Sequence, residues 1–404
     1  MAPSKKLEKQ LVIDVDSHFV EPFTWLETID PDLAREVNAA APTSIGEQVI
    51  GEVFESIPFD QRPPFEEFVP EQLRQVFAMF EGKPGAEMDQ VFEEHPEISV
   101  MFNPPGARGG AERVKLCDEQ GIDLQVCSPS VAMAMSNAAR RSDVDLGLRV
   151  ASAYNTWAAQ AVDGFTDRLI FTTVLLLDDL DWAVAELKRT RANGSRTFAM
   201  PLNPINGRGL GDPHYDQLWA AALDLGMVPL IHIGFGWPKV DPEWIKIGET
   251  FDPRLSMCMS VSAMSSLPQT VLSHLVHRGA FDRFPDLVVF CQEFGLDWIG
   301  AWVDAVGPTT RGGTPSGNMF FPWEHDSSPE EILAKHVRFS PLRGQAVDAA
   351  IDEFGPDLVC YASDYPHFEG IAQDWSFYDR QLDLCSEETK RKFSGENAAR
   401  LLMA

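Results

Sequence analysis

Four apolar runs in this sequence end in side chains that bind metal ions or move protons. The first, 11–16, leads into Asp16-Ser17-His18, with Glu21 three residues further on. The run 228–233 carries His232, the run 287–293 ends in Glu293, and the run 358–363 leads into Asp364-Tyr365-Pro366-His367. Side chains alternate along a strand, so Asp16 and His18, two apart, point the same way. Ionisable groups gathered from four strand ends are costly to desolvate unless a cation neutralises them. A metal site is the expected consequence. His274 and His277 lie three apart on one face of a helical stretch over 265–280, and His277 is the stronger candidate ligand of the two. Glu21 is either a ligand or the carboxylate that orients His18. His367 is either a ligand or the residue that transfers a proton or touches substrate. Ser17 and Ser363 read as turn residues, because no GxSxG elbow is present.

These groups need a scaffold that brings strand ends together. Short apolar runs at 11–16, 124–128, 169–176, 197–201, 228–233, 287–293, 337–340 and 358–363 alternate with helix-period stretches at 151–162, 180–190, 214–225, 265–280 and 345–354. That alternation predicts an α/β fold, a closed (β/α)8 TIM barrel in one domain over 1–404, with every candidate group at the C-terminal mouth of the strands. An open doubly wound sheet is the alternative, and no GxGxxG follows the first strand to support it. A long insertion, 23–110, rich in Pro, Glu and Phe, follows the first strand, and a shorter one, 307–336, precedes the seventh. Both are expected over the catalytic face as lid and pocket wall; the other reading is a contact between copies in a homo-oligomer. The Arg140-Arg141 pair meets an anionic substrate group or forms a solvated face.

Composition removes several function classes. Across 404 residues, 33 Lys+Arg oppose 61 Asp+Glu, a formal charge of −28. Nucleic acids and anionic membranes call for the opposite sign. The hydrophobic fraction of 44% is ordinary, and no stretch reaches the ~18 apolar residues of a membrane span. The N-terminus has charges with no apolar segment behind them, so it does not read as a secretory signal, and the cytoplasm is the expected compartment. Six scattered cysteines without a CxxC suggest neither a zinc knuckle nor a disulfide framework.

In order and spacing, Asp16-Ser17-His18 with Glu21-Pro22, His232, the block Phe281-Asp282-Arg283-Phe284-Pro285-Asp286-Leu287 leading to Glu293 and Trp298, and Ser363-Asp364-Tyr365-Pro366-His367 resemble the amidohydrolase-related metal-dependent family. That family is a TIM barrel and includes aminocarboxymuconate-semialdehyde and resorcylate decarboxylases besides hydrolases. This chain departs from its pattern in two places that matter. Asp16 stands where members often carry the first His of a His-x-His, and Glu293 stands where the decarboxylases carry a His. Strands two to five also contain no Lys to carry the bridging carbamate of binuclear hydrolases. The resemblance thus implies a carboxylate-rich ligand set of Asp16, His18, Glu21, His232, His277, Glu293 and Asp364, with Glu293 and His367 also in catalytic roles. Such a set suits two iron ions and resembles a branch of the family made up of diiron monooxygenases, whose members act largely on CoA-linked substrates. The expected function is then hydroxylation of a small molecule with O2. Electrons come from an external donor or reductase, because no flavin or nicotinamide motif is present. The alternative is a zinc or manganese hydrolase or decarboxylase acting on a carboxylated substrate.

Overall fold

The computed structural model describes residues 10–40, 75, 91, 94, 95, 103–248, 250–316, 323–367 and 376–403. Most of the insertion 23–110 therefore lies outside the described residues. Seven parallel strands pair in chain order: β1 (Ile13–His18), β2 (Leu124–Ser128), β3 (Leu169–Val174), β4 (Thr197–Ala199), β5 (Val228–His232), β6 (Val289–Gln292) and β7 (Val337–Phe339). All of their residues are buried except Arg338, which is partly so. A parallel sheet covered by helices on one face and curled on itself must be apolar on both, which is why these strands read as continuous apolar runs. The eighth run forms no strand of its own, yet it reaches both edges of the sheet. On one side Phe339 N–H donates to Leu358 O and Cys360 N–H to Phe339 O; on the other, Val15 N–H donates to Tyr361 O and Asp364 N–H to Asp16 O.

Helices that follow the strands run back antiparallel to them, so their C-terminal ends lie opposite the strand C-termini. The described part of the segment 307–336 packs at those helix ends. Arg311 bonds Asp304 near the end of the helix Ile299–Val306 and pairs with Glu353 near the end of the helix Val347–Phe354. His325 Nδ1 lies 3.5 Å from Asp282 Oδ2, and His336 Nδ1–H donates to Leu287 O, 2.7 Å away, just ahead of β6. The anchors of this described part sit at the end of the sheet opposite the strand C-termini, away from the face where the lid is expected. No helix among the described residues is long and apolar enough to cross a membrane.

Candidate metal centre

A bulge in β1 decides what faces the interior. Asp14 pairs in register with Gln125 and Ser17 with Cys127, and the register shifts between them. Asp14 and Ser17 thus turn outward under the helix Gly110–Gln120, where Gln125 Nε2–H donates to Asp14 Oδ2 at 2.7 Å and Arg113 donates to Ser17 Oγ at 3.3 Å. Asp16 and His18 turn inward. An extra residue in one strand is a common means of re-aiming a side chain beside a site.

Inside, the ends of β1, β5 and β6 meet the segment that follows the eighth run. Asp16 Oδ1 lies 3.2 Å from His232 Nε2 and 3.6 Å from His18 Nε2. His18 Nε2 is also 3.5 Å from Asp364 Oδ1, and His232 Nε2 is 3.4 Å from Glu293 Oε2. His367 Nδ1 approaches Asp364 Oδ1 at 2.9 Å and Glu293 Oε1 at 3.8 Å. Glu293 and Asp364 adopt φ of 61° and 51°, a left-handed backbone that costs a non-glycine residue about 1 kcal/mol and here aims both carboxylates into the cluster.

The tautomers sharpen the point. His18 Nδ1 faces Pro129 O at 3.2 Å and His232 Nδ1 faces Ile233 O at 2.6 Å; a carbonyl only accepts, so each Nδ1 carries a hydrogen. Each neutral ring then points the lone pair of Nε2 at carboxylate oxygens that are themselves acceptors. His18 Nε2 and Glu293 Oε2 are buried without a hydrogen-bond partner. Such an arrangement requires a cation between the donors, either a proton or a metal ion. Donor atoms ~2.1 Å from a shared ion stand roughly 3.0 to 3.4 Å apart, close to the separations observed, so the residues fit a divalent ion. Two overlapping sets form, Asp16, His18 and His232, and His18, Glu293, Asp364 and His367, with ligand atoms in each within 4.8 Å of one another.

Without a metal, protons do the neutralising. Burial disfavours charge on His232, but Asp16 and Glu293 beside it hold its pKa up at about 9. Burial likewise works against His367, whose two carboxylate neighbours, Asp364 and Glu293, overcome it and raise the imidazole well above its ordinary range. His18 is pushed down to about 4 by burial and by the charge of His367. Asp364 is pushed up to about 8 by burial and the Glu293 charge. Burial opposes ionisation of Asp16 too, yet His232 and His18 hold it well below the usual carboxylate range. A metal held by Asp16, His18 and His232 must displace the His232 proton, so its affinity is expected to climb by about tenfold per pH unit from pH 6 towards pH 9. Manganese titration against a competing chelator measures this; a flat profile would mean that His232 is not displaced.

Two expected ligands are placed elsewhere. The Glu21 carboxylate accepts from the backbone N–H groups of Ser130, Val131 and Ala132 at 3.2 to 3.3 Å, at the start of the helix Ala132–Ser142. Unpaired N–H groups and the positive helix end attract a carboxylate, so Glu21 steadies the loop that carries Pro129 and Ser130 against the two histidines. Burial nonetheless raises its pKa to about 7. His277 ends the helix Ser266–His277, with its ring 5.6 Å from that of Trp323 and 5.8 Å from that of His325. It stands apart from the cluster, because that helix end lies opposite the mouth. His274 accepts from Gly211 N–H at 2.9 Å and is likewise apart from the cluster.

The sequence reading missed the support on the outer face of β1. Arg113, fully buried, donates to Gln125 Oε1 at 2.7 Å, to His18 O at 2.7 Å and to Gly106 O at 3.2 Å, and lies over the Tyr365 ring. Asp14 accepts from Ser363 N–H and Oγ–H at 2.9 and 2.6 Å. One network thus ties the segments bearing His18 and Asp364. An uninterrupted apolar run broken by one Asp two residues before a candidate ligand was the available signal.

A profile described as amidohydrolase matches residues 13–403. No curated protein sequence matches the chain. Among solved structures, an amidohydrolase from Mycobacterium avium subsp. paratuberculosis is similar with a TM-score of 0.66 at 20% identity, covering 98% of this chain and 99% of that one. The 5-carboxyvanillate decarboxylase of Sphingomonas paucimobilis gives 0.61 at 17% identity, with 98% and 99% covered. A dihydroxybenzoic acid decarboxylase from a Polaromonas species, with bound manganese and 2-nitroresorcinol, gives 0.59 at 15% identity, with 98% and 97% covered. At these identities the likeness is one of fold.

Proposed function

The chain belongs to the amidohydrolase family, and on that premise we propose that it is a metal-dependent decarboxylase of a carboxylated small molecule, using manganese or zinc. The observation that carries this reading is the convergence of two Nε2 lone pairs on buried carboxylate oxygens. Analogy of fold with decarboxylases, one of them holding manganese, adds to it. Asp16, His18 and His232 would hold the ion, with Asp364 and Glu293 beside them. A divalent ion there supplies Lewis-acid polarisation and a counter-charge for the substrate carboxylate.

The chain's own residues handle the proton. Ser130 Oγ–H donates to Phe19 O at 2.5 Å, so towards His367 Nε2, 3.3 Å away, Ser130 acts as acceptor. The second proton of the His367 imidazolium then sits on Nδ1, shared with Asp364. Loss of CO2 leaves the electron pair of the broken C–C bond on carbon, and His367 is placed to deliver that proton to it, so R–COO⁻ and H⁺ become R–H and CO2. Glu293, directly after β6 where an imidazole is expected in a decarboxylase, stands 3.8 Å from His367 Nδ1 and stabilises its charge. The imidazole here comes from the segment after residue 363.

A second reading rests on one specific observation. Asp16, His18 and His232 form a two-His, one-carboxylate set, a common ligand set for nonheme iron, and the second set shares His18. That set suits iron, and the diiron monooxygenase with O2 and an external electron donor would need its second ion held by Glu293, Asp364 and His367, because His18 offers only Nε2. Metal analysis of the purified protein, CO2 release from carboxylated phenols under argon, and O2 uptake with reductant separate the two. Anaerobic CO2 release with manganese or zinc supports the decarboxylase. Two irons per chain with reductant-dependent O2 uptake installs the monooxygenase, and substrate cleavage without CO2 indicates hydrolysis.

A further inference from the structure

Beside the metal cluster a cavity of about 730 Å³ opens between the segments that follow β4 and β5 and the helix Ala132–Ser142. Phe235 lines it, and the Phe235 ring stacks on the His232 imidazole with centroids 4.7 Å apart. One ring, that of Phe235, therefore separates the cavity from a candidate ligand. Its wall is held rigid: Asn203 Nδ2–H donates to Trp237 O and Trp237 N–H to Asn203 Oδ1, both at 2.8 Å. A Cβ at Gly236 would lie 2.8 Å from Asn203 Oδ1, so the close approach of the two loops requires glycine there.

The charge lining this cavity is opposite to that of the whole chain. Against a net −28, Arg140, Arg141 and Lys239 face a single acid, Asp241, among the described lining residues. Asp241 accepts from Glu243 N–H at 3.0 Å, capping the short helix Pro242–Ile245. Arg140 Nη1 is 3.1 Å from Asp178 Oδ1, while its buried Nε has no hydrogen-bond partner. Gathered cations in a partly desolvated cleft raise the local potential and concentrate anions, and guanidinium forks match the oxygens of phosphate and carboxylate. The volume falls within the ~300 to 1,000 Å³ that holds a drug-sized ligand, more room than a small acid at the metal would fill.

We infer that this cavity binds the oxyanion tail, phosphate or carboxylate, of an elongated substrate whose middle lies on Phe235 and Trp237 and whose reacting end reaches the metal cluster. The placement of the reacting end rests on the proposed metal-dependent reading; the anion subsite does not. Calorimetric titration with inorganic pyrophosphate and with malonate, on the protein as purified and after chelation, tests it. Saturable binding is expected in both states. Arg141→Ala combined with Lys239→Ala should weaken it at least tenfold while leaving metal content unchanged. Lys239→Gln alone should weaken it measurably, which covers a misfolded double variant. Preference for pyrophosphate assigns a phosphate tail, and preference for malonate a carboxylate. Equal affinity in wild type and variants, or binding that disappears on chelation, overturns the subsite. Metal analysis reports separately on the catalytic reading, so either can fail alone.

Discussion

Alanine at position 232 is expected to abolish turnover and to erase the rise in denaturation midpoint that manganese gives the unaltered protein. His232 is buried, its Nδ1–H is fixed on Ile233 O, and its Nε2 lies within 3.4 Å of both Asp16 and Glu293. Among the described residues the other imidazole beside Asp16 is His18, at 3.6 Å and from the same strand as Asp16. A ligand that binds only the folded state at a hundred times its dissociation constant stabilises it by about 2.7 kcal/mol. Losing one of three principal donors should weaken binding by on the order of 100-fold or more, since even the partners of ligands commonly matter by 10- to 100-fold. The variant also leaves two buried carboxylates without their positive neighbour, so its metal-free form is less stable at neutral pH. The decisive measurement is therefore the midpoint difference with and without manganese, with circular dichroism as a check on folding. A variant that keeps the full manganese-induced shift would remove His232 from the ligand set.

Arg113→Met should cost about 3 to 5 kcal/mol in denaturant unfolding, the largest stability loss expected from one substitution outside the apolar core. The guanidinium is fully buried and bonds Gln125, Gly106 and His18 from one position. Methionine fills much of the volume but leaves those acceptors without a donor, at ~1 to 3 kcal/mol each where nothing relaxes. Arg113→Lys restores a charge without the fork and should recover only part of the loss. Manganese affinity should fall in both variants, because the His18 carbonyl and, through Gln125 and Asp14, the Ser363 backbone lose their tether. A loss under 1 kcal/mol in the methionine variant, with unchanged metal affinity, would show that the network neither stabilises the fold nor positions the ligands.

Much of the site was legible because a doubly covered strand tolerates few polar residues. Asp16, His18, His232, Glu293 and Asp364 each interrupt or end an apolar run, and the sheet brings all five together. Glu21 and His277 were less readable. A loop carboxylate three residues past a histidine can turn towards a metal or towards a helix start, and the sequence does not say which helix begins nearby. His277 shows the limit of spacing alone: a shared helix face does not say which end of the barrel that face approaches. Arg113 had no signal, since one arginine in a helix of mixed polarity looks solvated until the chain between β1 and β2 is folded. The second insertion is expected over the mouth from its position in the chain, whereas the described part of it is anchored to Asp304, Glu353 and Asp282 at the opposite end.

The joining of the two ends of the sheet has a consequence for how the protein is made. Asp16 and His18 leave the ribosome early, whereas Asp364 and His367 follow roughly 350 residues later, the span crossed by the hydrogen bond from Ser363 to Asp14. Until then a nascent chain offers an ion only an incomplete set, with the edges of β1 and β7 unpaired. At ~5 to 20 residues per second, that interval lasts tens of seconds. A polypeptide released before residue 364 would carry open strand edges and only part of the buried His and carboxylate cluster, features by which quality control can tell it from a chain that extends past His367.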